Sequence, residues 1–309
     1  MPIGGAQSVA DIENYGRPWV ATVDNLSTVV RDRAYNEIWV RAADRSIEHI
    51  GGNGDFVVVS YDNVGVEVFR QTIGGGSVGR FKDGGAAFLG LSVRDDLFAY
   101  IDSYTVYIRE FPATSSGSTF PLAETLDFGY NNIRDVELTD DYLFVADGSD
   151  DVIQVYDTAD YSNVATLSIG GDGDSPVASD GEHVICADAN GDAEVYEVGT
   201  WNRQSDYTAP SDKVEDINAC GRAGEFILGG RDDTAYVAEY DGGMTTLTTF
   251  TAHSGSGEVR HVATEDGRYV YHSTTTDAAY VYRDDGGTYS NVFSTSADQG
   301  VGFLRYLGK

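Results

Sequence analysis

Two glycine-framed patterns are the first places in this sequence where chemistry could reside. Gly75-Gly76-Ser77-Val78-Gly79 fits G-x-S-x-G, but a nucleophile elbow needs a strand running directly into a helix, so that the serine hydroxyl is held exposed. No helical pattern follows Gly79. Asp188-Ala189-Asn190-Gly191-Asp192 imitates the opening of a calcium loop, yet its sixth position is Ala193 and its twelfth is Gly199, so the turn glycine and the bidentate glutamate are both missing. The acidic turn Gly170-Gly171-Asp172-Gly173-Asp174 could hold Ca²⁺ or Mg²⁺ only weakly. The histidines, His49, His183, His253, His261 and His272, show no H-x-H or H-x-x-x-H spacing that would seat a metal on one element. No cofactor, no metal site and no catalytic residue is therefore expected.

A subtler pattern places one polar residue between aliphatic ones: Val9-Ala10-Asp11-Ile12, Ile47-Glu48-His49-Ile50, Ile133-Arg134-Asp135-Val136, Val214-Glu215-Asp216-Ile217 and Val259-Arg260-His261-Val262. On one reading, Asp11, His49, Asp135, Asp216 and His261 satisfy buried backbone donors and tie neighbouring elements together. On the other, they line a channel and could hold a cation or polar ligand. The repetition itself favours a structural requirement. An enzyme built here would be a hydrolase or lyase, with His49 or His261 as base beside a metal on Asp135 and Asp216.

The elements that must position these residues come from a repeat. An apolar strand, a polar turn and an alternating second strand recur from Trp19, Phe56, Leu97, Tyr142, His183, Phe226 and Tyr269, at intervals of 37 to 45 residues. That spacing is the length of one four-stranded propeller blade. A short apolar stretch precedes each hairpin, and a Thr-, Ser- and Val-rich strand such as Asn163–Ser168 or Met244–Thr249 follows it. The expectation is an all-β chain: one domain over residues 1–309, a seven-bladed β-propeller of four-stranded antiparallel blades whose termini meet at the ring closure. Residues 9–12 fit the inner-strand pattern, so the amino-terminal stretch is expected to supply the inner strand of the first blade, while the strand-like stretch 300–306 either competes for that position or straps the seam.

Residues 142–188 carry a resemblance. The run YLFVADGSDDVIQVYDTADYSNVATLSIGG, then SPVASDGEHVICAD, is similar to the YVTN-type repeat of archaeal and bacterial β-propellers, themselves similar to WD40 propellers. Val155–Thr158 and the turn Asp180-Gly181-Glu182 match the strand ending and inter-strand turn of that repeat. The match covers about one and a half blades, and it implies the fold, with extracellular or surface-layer-like roles in some relatives.

Composition sets the remaining bounds. Fifty acidic residues against 20 basic ones give a net charge of −30, and the lysines are Lys82, Lys213 and Lys309 alone. Self-repulsion of that size is relieved in molar salt, where the Debye length falls to about 3 Å. The acid-rich, lysine-poor balance resembles proteins of salt-in halophilic archaea and their viruses. A phosphate-backbone binder needs a basic stripe, so nucleic acid is not an expected partner. Cys186 and Cys220 cannot form a disulfide framework. The amino-terminal residues lack the pattern of a signal peptide, and no apolar run reaches membrane-spanning length.

The expected function is a non-enzymatic binding platform adapted to high salt, recognising a protein or a surface glycan. Its expected setting is part of a larger assembly, at a haloarchaeal virion surface, on a cell-associated scaffold or in the cytoplasm of a salt-in halophile. Functional residues gather on the loops of such a disc, and the loops leading into the inner strands hold the exceptions to its acidity: Arg80, Tyr130, Asn131, Arg134, Lys213, His253 and Arg260. Arginine and aromatic residues are favoured interface anchors.

Overall fold

The protein is described by a computed structural model from residue 20 to residue 306, without residues 25–26, 32–36, 43–46, 54, 62–64, 71–75, 82–89, 95, 115–116, 130–131, 171–175, 188–190, 209–212, 220–223, 252–256, 266–267, 275, 277 and 296–300. For residues 20–42 and 301–306 only the backbone pairing is described.

Among the described residues every regular element is a strand. The first three are β1 (Val20–Asp24), β2 (Ser27–Arg31) and β3 (Glu37–Ala42). Six blades follow, each a four-stranded antiparallel sheet of consecutive strands. They are β4 to β7 (Ile47–Gly52, Phe56–Tyr61, Gly65–Arg70, Gly76–Phe81), β8 to β11 (Leu91–Val93, Leu97–Asp102, Thr105–Glu110, Leu122–Asp127) and β12 to β15 (Ile133–Leu138, Tyr142–Asp147, Val152–Asp157, Asn163–Ser168). The next are β16 to β19 (Val177–Ser179, His183–Ala187, Asp192–Glu197, Arg203–Thr208), β20 to β23 (Val214–Ala219, Glu225–Gly230, Thr234–Tyr240, Met244–Thr251) and β24 to β27 (Val259–Glu265, Arg268–Ser273, Ala278–Asp284, Tyr289–Ser294).

The expectation of seven blades of this kind is corrected by the strand order: six blades are built this way. β1, β2 and β3 take their fourth strand from the far end of the chain, β28 (Val301–Tyr306), which pairs antiparallel with β1. This composite sheet closes the ring, with β28 packed against both β24 and β4. The sequence repeat marks hairpins, and the β1–β2 hairpin looks like the others in sequence. Its sheet is completed only when β28 reaches β1, and that antiparallel pairing ties the two ends of the ring together through the backbone. Residues 9–12, with Asp11, lie outside the described residues.

Burial explains the strand patterns. Second strands such as β5, β9 and β21 are buried at every position, since each is covered by a blade on either side, and they read as continuous apolar runs. Outer strands alternate, as β23 does, because one face looks to solvent. The core thus lies between neighbouring blades. Phe56, Val58, Val66 and Val68 of one blade pack with Leu91, Phe98, Tyr100, Phe111 and Phe120 of the next. Phe56 and Phe111 stack there at 5.2 Å between ring centroids. The buried Arg109 sits over the Phe81 ring and donates from Nη1 to the Phe120 carbonyl at 3.1 Å.

Each outermost strand carries a one-residue bulge. The extra residues are Ile38, Val78, Ala123, Val164, Gln204, Leu247 and Val292. A bulge breaks the regular ladder that another chain would need for edge-to-edge pairing.

Candidate binding face

Inner strands bulge too, and these bulges explain the polar pattern of the sequence. In β4, β12, β20 and β24 the extra residue is Glu48, Arg134, Glu215 and Arg260 respectively. The next residue in each is His49, Asp135, Asp216 or His261, the recurrent polar position. The aliphatic, charged, Asp/His, aliphatic motif is therefore the signature of an inner-strand bulge, and in β12 and β20 the aspartate after the extra residue reaches the neighbouring blade.

What that successor does is clearest at the two aspartates. Asp216 Oδ1 accepts from the amide of Ile217 at 3.0 Å, and Oδ2 accepts from the amide of Val262, on the next inner strand, at 2.8 Å. Asp135 does the same with Val136 at 2.8 Å and with Val177 of the following blade at 3.0 Å. Adjacent inner strands belong to separate sheets, so such side chains supply hydrogen bonds across the gap. Further along the strands, Ser92 Oγ accepts from Leu138 N at 3.0 Å, and Asn218 Oδ1 from Thr264 N at 3.1 Å. His261 places Nδ1 3.9 Å from Asp216 Oδ2, and its ring lies parallel to that of His272, with centroids 6.2 Å apart. His49 is half-buried on β4.

Among the described residues, no three His, Cys, Asp or Glu side chains converge in the manner of a metal site. A cavity of about 110 Å³ opens among β4, β8, β12 and β20, lined by Gly51, Gly52, Leu91, Ser92, Val93, Glu137 and Asn218. Ser77 of the G-x-S-x-G pattern lies exposed at the start of the outer strand β7, paired with Phe69.

The loops entering the inner strands share one end of each blade with the hairpin turn between its second and third strands. Backbone bonds fasten the two together: Gly148 N to Asn132 O at 2.9 Å, Arg231 N to Lys213 O at 3.2 Å, and Thr274 N to Glu258 O at 2.9 Å. Asp147, fully buried, holds the turn of its own hairpin by accepting from Ser149 N at 3.0 Å.

On this face the structure brings two of the expected residues together through three that sequence reasoning missed. Lys213 Nζ lies 3.0 Å from Glu215 Oε2, and Arg231 Nε lies 3.9 Å from Glu215 Oε1 and 3.6 Å from Glu258 Oε1. Arg260 Nε meets Glu258 Oε2 at 3.1 Å. The result is a continuous array, Lys213, Glu215, Arg231, Glu258, Arg260, spanning two blades. Its carboxylates lie low, at 15% and 25% exposure for Glu215 and Glu258, while Arg231 and Arg260 stand out at 53% and 62%.

Arg134 occupies the matching bulge of β12. With the Asn132 amide turned so that its oxygen faces the guanidinium, that oxygen accepts from Nη2 at 2.6 Å and from Nε at 2.8 Å. Arg80 is elsewhere, on the outermost strand of its blade, 3.9 Å from Glu67, and belongs to the rim rather than to the array. Tyr130, Asn131 and His253 lie outside the described residues. The signal that could have found Glu215 was its place in the inner-strand motif; Arg231 and Glu258 had none, because only the ring sets one blade's hairpin turn beside the next blade's inner strand.

No family model matches the sequence, and no curated protein matches it. Solved structures do share the fold. A chain in the crystal structure of the mitotic checkpoint complex is 14% identical, with a TM-score of 0.69 over 83% of this chain and 81% of that one. The computationally designed Ika8 protein is 13% identical, with a TM-score of 0.70 over 93% and 86%. The Myceliophteria thermophila Cps50 (Swd1) β-propeller domain is 12% identical, with a TM-score of 0.69 over 85% and 90%. At these identities the likeness is one of fold, a WD40-like β-propeller.

Proposed function

We propose that this chain is a non-enzymatic platform that recognises a protein partner through the loop face around Lys213, Arg231 and Arg260. The observation that carries the reading is the ion-pair array: exposed arginines linked through shared carboxylates across two blades, in a chain of net charge −30. Exposed ion pairs contribute little to stability, so stability alone is a poor reason for building one across two blades. The WD40-like fold supports the same reading, since such propellers are typically interaction scaffolds. Arg134 extends this face, and a glycan bearing acidic groups would use the same chemistry.

The composition supports a setting in concentrated salt. A folded acidic disc exposed to brine, on a haloarchaeal virion or a cell-associated scaffold within a larger assembly, is the setting this reading favours. The hydrolase or lyase alternative would require a metal on Asp135 and Asp216 to displace the backbone donors that those carboxylates already serve.

The test is retention of purified protein on haloarchaeal cells or their envelope glycoproteins in molar salt. Photo-crosslinking side chains would be placed at residue 134 or 260 on the loop face and, as a control, at Leu122 on an outer strand. Cross-links to one surface protein from the loop-face positions alone are expected. Retention without loop-face cross-links, or no retention, would remove the proposal.

A further inference from the structure

Resting on that reading, we infer that Arg231 and Arg260 form a paired carboxylate site, and that the partner presents it with an acidic peptide segment. Both guanidiniums approach Glu258 through Nε, at 3.6 and 3.1 Å, on different carboxylate oxygens. Glu258 is thus a spacer that holds two forks side by side. Arg260 bonds to the described residues only through Nε, which leaves its two terminal amino groups for a ligand. A guanidinium fork matches a carboxylate with two parallel hydrogen bonds, and holding it in place beforehand lowers the ordering cost of binding.

The backbone adds to this fixing. Arg260 is the extruded residue of an inner-strand bulge, and the amide of Arg231 is bonded to the Lys213 carbonyl. Beneath them, Lys213 neutralises Glu215 at 3.0 Å, so the array presents cations outward and keeps its anions below.

Charge complementarity selects an anionic partner, and scale selects a carboxylate-bearing peptide. A nucleic-acid backbone needs a long basic track, whereas this array presents three cations, Lys213, Arg231 and Arg260, over two blades. The Arg260 fork beside a second guanidinium suits one or two carboxylates. At molar salt only contact-distance pairs escape screening, so a short acidic segment in direct bidentate contact is the ligand form that survives there.

The experiment uses the full chain at the lowest KCl concentration at which it stays folded. Fluorescently labelled hexaglutamate is titrated against hexaglutamine and against a short single-stranded oligonucleotide. Hexaglutamate alone should bind, and R231Q/R260Q should weaken it by about tenfold or more, as expected for losing charge-assisted forks. R203Q/R283Q, which removes two comparably exposed arginines elsewhere, should bind within about twofold of the parent. Arg260→Lys, which keeps charge and loses the fork, should fall between them and guards against misfolding of the double variant. Equal binding of hexaglutamine, equal loss in R203Q/R283Q, or tighter binding of the oligonucleotide would overturn the inference. If cross-linking from residue 134 persists undiminished in R231Q/R260Q, the platform stands and the carboxylate site falls; if the chain carrying Arg231 and Arg260 gives no cross-link from residue 134, the platform itself has failed.

Discussion

Replacing Asp216 by alanine removes one carboxylate that serves two blades. Asp216 is 7% exposed, and its oxygens accept from Ile217 N at 3.0 Å and Val262 N at 2.8 Å. Buried hydrogen bonds to a charged group contribute about 1.5–3 kcal/mol each, and stripping away the acceptor leaves both amide donors without it. The two bonds together give about 3–6 kcal/mol; allowing for partial hydration of the vacated space, we expect a loss of about 4 kcal/mol. At about 2 °C per kcal/mol for a chain of this size, the melting temperature should fall by about 8 °C. Asp216→Asn keeps one acceptor but turns an NH₂ toward the other donor, so it should cost about half as much. Asp285→Ala, which breaks an exposed pair with Arg283 at 2.8 Å, is the control and should leave the melting temperature nearly unchanged. Thermal unfolding measures the totals, and amide hydrogen exchange at Val262 locates the effect. If D216A matches D285A, or if exchange at Val262 is unchanged, the staple between blades is not what holds these strands.

Three further outcomes are expected. Gly229→Ala should destabilise far more than Gly51→Ala, by at least about 2 kcal/mol in urea titrations: a Cβ on Gly229 would lie 2.5 Å from the Val259 carbonyl of the next blade, whereas one on Gly51 meets the movable Val93 side chain at 2.6 Å. Burial raises the hydroxyl pKa of Tyr271, Tyr196 and Tyr236, reinforced by Tyr282, Glu194 and Asp232 respectively. Unfolded tyrosine ionises near pH 10, so their contribution is complete below about pH 10 and is lost as pH rises toward the folded values; the part of the tyrosinate absorbance lost in the Tyr→Phe variants at these three positions should appear together with unfolding followed by circular dichroism, and its appearance at pH 10 in the folded chain would contradict this. Raising KCl from about 0.1 M to about 3 M should raise the melting temperature by relieving self-repulsion, and a flat or falling curve would argue against adaptation to salt.

Much of the architecture is legible in residue order because a blade is a local object. Its strands follow one another within about 40 residues, so buried second strands show as apolar runs and outer strands as alternation. The stretch from Tyr142 to Ser168 reads directly as β13, β14 and β15. The inner-strand motif was visible too, although its cause was not: a bulge is defined by register against a partner strand, and register is not written in one strand alone.

Composition and periodicity determined the fold type, the acidity and the repeated polar position. Tertiary structure decided how many blades are contiguous, since β1 finds β28 only after some 280 residues of intervening chain have gone round the ring. It also decided the site. Lys213, Arg231 and Arg260 sit on three different strands or turns of two blades, and Coulomb attraction and hydrogen bonding depend on distances of a few ångströms in space, which the order of residues along a chain does not record.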